Sequence, residues 1–238
     1  MIAQDSPLSA SVTQHSVPNT RLGLFGGTFN PIHNGHLAIA RQTRQVLDLD
    51  RILFIPTSDP PHKPQKNLAP AKDRFEMVRL AIGSEPSFAI SDIEIRRPGK
   101  SYSIDTIRLL QQEYGRGTHF SFLIGLDAFL DFPTWREPEA LIKLCSFVVI
   151  SRQGVSFQAL SAMDLLPQLS LQSLADLDAG RISILDVPLG TNKLTCLVLP
   201  PSDVSASDIR MRIKQGLPVA NLLPPLVESY ILHHHLYK

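Results

Sequence analysis

The chain is poor in the features that mark secreted, membrane-spanning or polymer-binding proteins. Its 238 residues hold two cysteines, Cys145 and Cys196, far apart in apolar runs and without C-x-x-C spacing. This excludes a disulfide scaffold and a cysteine zinc site, and reads as two reduced core thiols of a cytoplasmic protein. The formal net charge is only +1, so no bulk field draws the chain to a nucleic acid polymer or an anionic membrane; any anion site must be local. No apolar run approaches the roughly 20 residues of a bilayer span. No internal repeat is present. Residues 1–20 lack the basic start and apolar segment of a signal peptide and are rich in Ser, Thr, Gln and Pro. They read as a disordered tail before one domain over 21–238.

What is there is an alternation of short apolar runs and longer helical periods. Strands are expected around Leu22, Leu24 and Phe25, and over 51–56, 88–90, 93–95, 119–124, 146–150, 182–186 and 194–199. Helical spacing runs over 37–47, 71–82, 103–114, 137–143, 205–215 and 222–233, with Ser101 or Ser103 available to cap the third of these. The leucine-rich segment 155–179 has no clear period. Five-residue strands between ten-residue helices imply an α/β fold with a mainly parallel sheet, whose ligands sit beyond the carboxyl ends of the strands.

The stretch 21–40 concentrates the chemistry. A buried strand ends in Gly26-Gly27, Thr28 and Phe29 follow, Asn30-Pro31 turns the chain, and His33 and His36 stand at a helix start. Close backbone approach, two imidazoles and free helix amides describe a phosphate site. Zinc would require further His, Cys or carboxylate partners, and none lies nearby in sequence. A second anion site is expected at 204–210, where Ser205 can cap a helix with Ser207 and Arg210 on its first turns. On that segment alone an ordinary capped amphipathic helix is the favoured reading. The Gly99-Lys100-Ser101 run mimics the end of a Walker loop, but Glu94 stands where its first glycine belongs.

Five stretches in order, G-G-T-F-N-P-I-H-N-G-H-L, P-P-H-K, S-Y-S-I-D-T, I-G-L-D-A-F-L-D-F-P-T-W and V-S-A-S-D-I-R, resemble the HxGH nucleotidyltransferase superfamily, and within it the bacterial nicotinate-mononucleotide adenylyltransferases. The resemblance implies a Rossmann-like doubly wound sheet with helices on both faces and closing C-terminal helices. It implies adenylyl transfer from ATP to nicotinate mononucleotide, in NAD biosynthesis, with Mg2+ arriving on the triphosphate and no protein metal cage. His33 and His36 would contact ATP phosphates beside Gly26, Gly27, Thr28 and Phe29. Gly125, Asp127 and Ile209 would line the ATP site, with Ser205, Ser207 and Arg210 holding the β- and γ-phosphates. Lys63 either reaches phosphate on loop closure or is a solvated lysine. Tyr102, Ser103, Asp127 and Trp135 would read the mononucleotide; for Trp135 the alternatives are stacking on the pyridine ring and packing as a lid on protein.

Two positions depart from the family pattern: Asn30 stands where aspartate is common, and Ser207 where threonine is common. Asn30 cannot act as a carboxylate. Competing readings are an HxGH enzyme for the amide mononucleotide or for pantetheine phosphate, the latter usually with Thr in place of the first histidine, and a non-catalytic nucleotide sensor. Bland roles are expected elsewhere: His62 as a loop histidine, His119 as a packing residue, Arg96-Arg97 as a solvated turn, and His233-His234-His235 without metal, because adjacent helical side chains diverge. Oligomeric state is unreadable.

Overall fold

Strand residues buried on both sides build this molecule outward from one sheet with two apolar faces. The computed structural model describes residues 20–60, 68–83, 85–115 and 117–238. In chain order the strands are β1 (Arg21–Gly27), β2 (Arg51–Pro56), β3 (Phe88–Ile90), β4 (His119–Gly125), β5 (Ser146–Ile150), β6 (Ile184–Leu189) and β7 (Asn192–Leu197). The helices are α1 (Asn34–Val46), α2 (Ala71–Ile82), α3 (Ile93–Arg96), α4 (Ser103–Tyr114), α5 (Leu126–Leu130), α6 (Pro138–Leu144), α7 (Leu171–Asp178), α8 (Ala206–Lys214) and α9 (Pro225–His233). The strands lie in the order β3-β2-β1-β4-β5-β7-β6, all parallel except β6, which runs antiparallel to β7.

Period-two alternation sends neighbouring residues into different cores. Leu24, Leu53, Phe122 and Val149 meet Ile104, Ile107 and Leu110 of α4 and Phe129 of α5 on one face. Ile52, Phe54, Leu123 and Val148 meet Leu37 and Ala40 of α1, Met77 and Val78 of α2, and Val227 and Ile231 of α9 on the other. This is the doubly wound, mainly parallel sheet expected. Strand order reverses direction between β1 and β4, and that switch point places the ends of both at one crevice.

Several local expectations change. Residues 93–95 form part of α3, not a strand; three apolar residues are too few to reveal a period, and Arg96 Nε instead bonds Asp92 one turn back at 2.8 Å. Neither Ser101 nor Ser103 caps α4, whose N-cap is Tyr102; Ser101 Oγ accepts the amides of Ser58 and Asp59 at 3.2 and 3.3 Å. Arg97 is not a solvated turn residue, since its guanidinium is largely buried, 3.9 Å from Asp105. His119 is exposed, not packed. The last two strands shift to a hairpin closed at Gly190, φ 66°. The segment 155–179 resolves into a 3-10 turn (Phe157–Ala162) and α7, joined because Asp178 accepts the amides of Phe157 and Gln158. The expected tail falls almost wholly outside the described residues.

Cys145 and Cys196 are buried free thiols, and burial pushes Cys196 up to about 12 and Cys145 higher still. No helix among the described residues is long and apolar enough to cross a membrane.

One buried cation joins the irregular segments. Arg74 of α2 is fully buried and donates to the carbonyls of Ala69 (2.9 Å), Thr28 (2.7 Å), Thr57 (2.6 Å) and Ser58 (3.0 Å). The loops after β1 and β2 therefore share one donor fork. Arg74→Met should lower the unfolding free energy in urea by about 3 kcal/mol or more, because several buried carbonyls lose their donor. A loss below about 1 kcal/mol would show that those carbonyls find other partners.

Candidate active site

The site is assembled where β1 ends. After Gly27 the chain passes Thr28 and enters a left-handed turn at Phe29, φ 46°, an uncommon conformation for a bulky residue. The Phe29 ring is buried, edge-on to His36 at 5.2 Å, and a Cβ on Gly27 would lie 3.0 Å from it. Glycine is needed there because the Phe29 ring lies against it, whereas the sequence suggested close approach to a ligand. The Asn30-Pro31 bond is cis. His33 is the N-cap residue of α1 and His36 its third residue, with the two rings stacked 3.7 Å apart.

Their protonation follows from their partners. His36 Nδ1 accepts the His33 amide at 3.3 Å, so in neutral His36 the proton sits on Nε2. His33 is buried, its Nδ1 has no hydrogen-bond partner, and burial together with the positive charge of Arg152 lowers its pKa to about 4. It is neutral at physiological pH. Gly35 is the small residue that lets two segments of the chain meet here: a Cβ would lie 2.6 Å from Ser202 Oγ and 3.0 Å from His33 Nδ1.

The second anion segment lies against the first. Ser205 caps α8, its Oγ accepting the Asp208 amide at 3.1 Å and lying 3.2 Å from Ser207 Oγ. Arg210 donates to the Asn30 carbonyl at 2.7 Å. Residues 180 positions apart are thereby one unit. The side chain of Ile209 is fully buried in the core shared with α1 and α2, so only its backbone is left to face a ligand. Asn30 Oδ1 accepts from the Ala69 amide at 3.0 Å and the Tyr237 hydroxyl at 2.8 Å. An amide oxygen serves those bonds as an aspartate oxygen would, which gives the departure at this position a physical basis.

At the neighbouring strand end, Gly125 is followed by exposed Asp127, whose carboxylate lies 3.4 Å from Arg152 Nε. A Cβ on Gly125 would lie 2.5 Å from Asp127 Oδ1. Arg152 went unnoticed in the sequence, as did Ser202. The available signal was position: Arg152 lies two residues past β5, on the ligand side of a parallel sheet.

The residues assigned to the mononucleotide lie toward the other face. Half-buried Tyr102 caps α4 just before Ser103, and the Arg136 guanidinium stands 4.9 Å from its ring. Trp135 packs edge-on to Phe122 at 6.2 Å and against Phe132 at 5.4 Å. Phe122 in turn would be 3.5 Å from a Cβ on Gly26, so one ring separates the tryptophan from β1. Behind Tyr102, burial raises the pKa of Glu94, which accepts the Thr106 hydroxyl at 2.8 Å. Lys63 and His62 lie outside the described residues. Among the described residues no group of three or more His, Cys, Asp or Glu could hold a metal ion. The set as a whole presents neutral and cationic donors, suited to oxygen anions.

Residues 24–212 match the model of the cytidylyltransferase-like family. The chain is 41% identical over 220 residues to the "Probable nicotinate-nucleotide adenylyltransferase" of Geobacter metallireducens, covering 91% of this chain and 98% of that one. It is 37% identical over 220 residues to the protein of that name from Thermomicrobium roseum, covering 92% of each. In fold it is similar to the Plasmodium falciparum nicotinic acid mononucleotide adenylyltransferase complexed with NaAD, with a TM-score of 0.67 over 92% of this chain and 97% of that one, at 16% identity.

A buried neutral His33 has a stability consequence of definite sign. Below its unfolded pKa, near 6.5, the unfolded chain takes up a proton that the folded chain refuses until about pH 4. Its contribution is full above that window and is lost as the pH falls through it, amounting to about 3 kcal/mol. Urea unfolding at pH 7 and pH 4 should show wild type losing more stability than His33→Asn. Parallel losses would mean that His33 is protonated in the folded state.

Proposed function

The chain belongs to the nicotinate-nucleotide adenylyltransferase family, and we infer that it transfers the adenylyl group of ATP to nicotinate mononucleotide in NAD biosynthesis. The products are nicotinate adenine dinucleotide and pyrophosphate. The observation that carries the residue-level reading is the union of two anion segments through the Arg210–Asn30 bond at 2.7 Å.

A phosphate oxygen of the mononucleotide attacks the α-phosphorus of ATP, the bond from that phosphorus to the bridging oxygen breaks, and pyrophosphate leaves with the electron pair. The attacking phosphate is already ionised at neutral pH, so no general base is needed. Catalysis then rests on alignment and on stabilising charge at the transferring group. His36, its Nε2 protonated, and neutral His33 act as hydrogen-bond donors to the triphosphate. Ser205, Ser207 and Arg210 hold the β- and γ-phosphates, with the backbone of 26–29 alongside. Asp127 takes a ribose hydroxyl, and Arg152, its partner in the free protein, adds a cation at the strand ends. Lys63, which precedes α2 in the sequence, supplies a further cation.

Magnesium belongs to the substrate, entering on the triphosphate and keeping several waters. Imidazoles, hydroxyls and a guanidinium suit phosphate oxygens and make a poor resident cage for a hard cation, which supports this assignment. Tyr102, Ser103 and Trp135 contact the pyridine nucleotide. The buried thiols suit a reducing, cytoplasmic setting.

Purified protein with Mg·ATP should release pyrophosphate on addition of nicotinate mononucleotide, with lower catalytic efficiency on the amide. Absence of pyrophosphate with either would overturn the reading. His36→Ala should lower kcat by about 10²- to 10³-fold with the melting temperature nearly unchanged; near-normal turnover would remove His36 from the phosphate site. Trp135 is the only tryptophan, so nicotinate mononucleotide added without ATP should quench the intrinsic fluorescence. An unchanged spectrum at saturating mononucleotide would show that Trp135 only packs on protein.

A further inference from the structure

We propose that the C-terminal Tyr237 is a positioning residue for the triphosphate clamp, acting through Asn30 on Arg210. The inference rests on the reading of Arg210 as a phosphate ligand.

The chain beyond α9 does not trail off. Leu236 and Tyr237 pack against the core shared by α1, α2 and α9, and the Leu236 amide bonds the Ile231 carbonyl at 3.1 Å. Tyr237 adopts φ 66°, a left-handed backbone that a bulky residue holds only when its surroundings over-determine it. From there its hydroxyl donates to Asn30 Oδ1 at 2.8 Å, across 207 residues of sequence. Burial raises the phenol pKa, opposed by the charges of Arg210 and Arg74, so this hydroxyl lies near both guanidiniums and stays a donor throughout the physiological range.

Asn30 is thus gripped from several sides. Its Oδ1 takes Tyr237 and the Ala69 amide, and its carbonyl takes Arg210 at 2.7 Å. Arg74 holds the carbonyl of Thr28 two residues earlier. The carbonyl of Asn30 can hold Arg210 in one place only if the Asn30 peptide is itself held, and the two side-chain bonds do this. Nothing in the described structure bonds Tyr237 to a residue assigned to the mononucleotide, so its influence falls on the ATP side.

The test is a double-mutant cycle read as steady-state kinetics for each substrate. Tyr237→Phe keeps the ring and removes the hydroxyl. It should raise KM for ATP by about fivefold, the worth of one hydrogen bond, with KM for nicotinate mononucleotide unchanged. Arg210→Ala should raise KM for ATP further, and adding Tyr237→Phe to it should have no additional effect. Asn30→Ala should mimic Tyr237→Phe, and Asn30→Asp, which retains the acceptor oxygen, should recover most of that loss. Should Arg210→Ala raise KM for ATP while Tyr237→Phe has no effect, has an independent multiplicative one, or shifts both substrates alike, the positioning role is overturned. Should Arg210→Ala leave KM for ATP unchanged, the assignment of Arg210 itself fails.

Discussion

The loop between β1 and α1 is irregular and half-buried, so its carbonyl oxygens have no ladder to supply donors. The protein meets that requirement with guanidinium groups brought from other elements. Arg74 reaches Thr28 from α2, and Arg210 reaches Asn30 from α8. The histidines depend on this arrangement, because His33 and His36 sit immediately after the loop and take their position from it. The loop is thereby framed by two guanidiniums that satisfy its backbone carbonyls.

His33 adds no fixed charge. Burial keeps His33 neutral, and the His33 amide directs the proton of neutral His36 to Nε2. The positive charge comes from Arg210 and Arg152 at the margin, and Arg152 is balanced by Asp127 before substrate arrives. This reconciles a chain of net charge +1 with a substrate of high negative charge: the field is local.

Much of this was legible because the local chemistry permits few alternatives. Gly26-Gly27 after an apolar run, Asn30-Pro31 and a helix starting at His33 specify a strand, a tight loop and an N-terminus, all of which are present. Ser205 at the start of α8 was legible for the same reason. Legibility failed where one position serves two demands. Ile209 lies between Ser207 and Arg210 in the motif, yet helical geometry turns it to the core while its neighbours face the loop. Residues 93–95 carry too few apolar positions to separate a period of 2 from one of 3.6. Arg152 belongs to no motif, and only the parallel order of β4 and β5 makes it a neighbour of Asp127.

By itself the sequence determined the alternation of strands and helices and the family its motifs resemble, and it raised the expectation of phosphate binding at 26–36 and 205–210, since each depends on residues close together in the chain. Only the tertiary structure decided that the two segments form one clamp, that His33 is neutral, that Gly35 is small to admit Ser202, and that Asn30 serves where an aspartate was expected. Burial, proximity across 180 or 207 residues and the choice of hydrogen-bond partner are properties of the packed chain. They exist only once the sheet has brought its strand ends together.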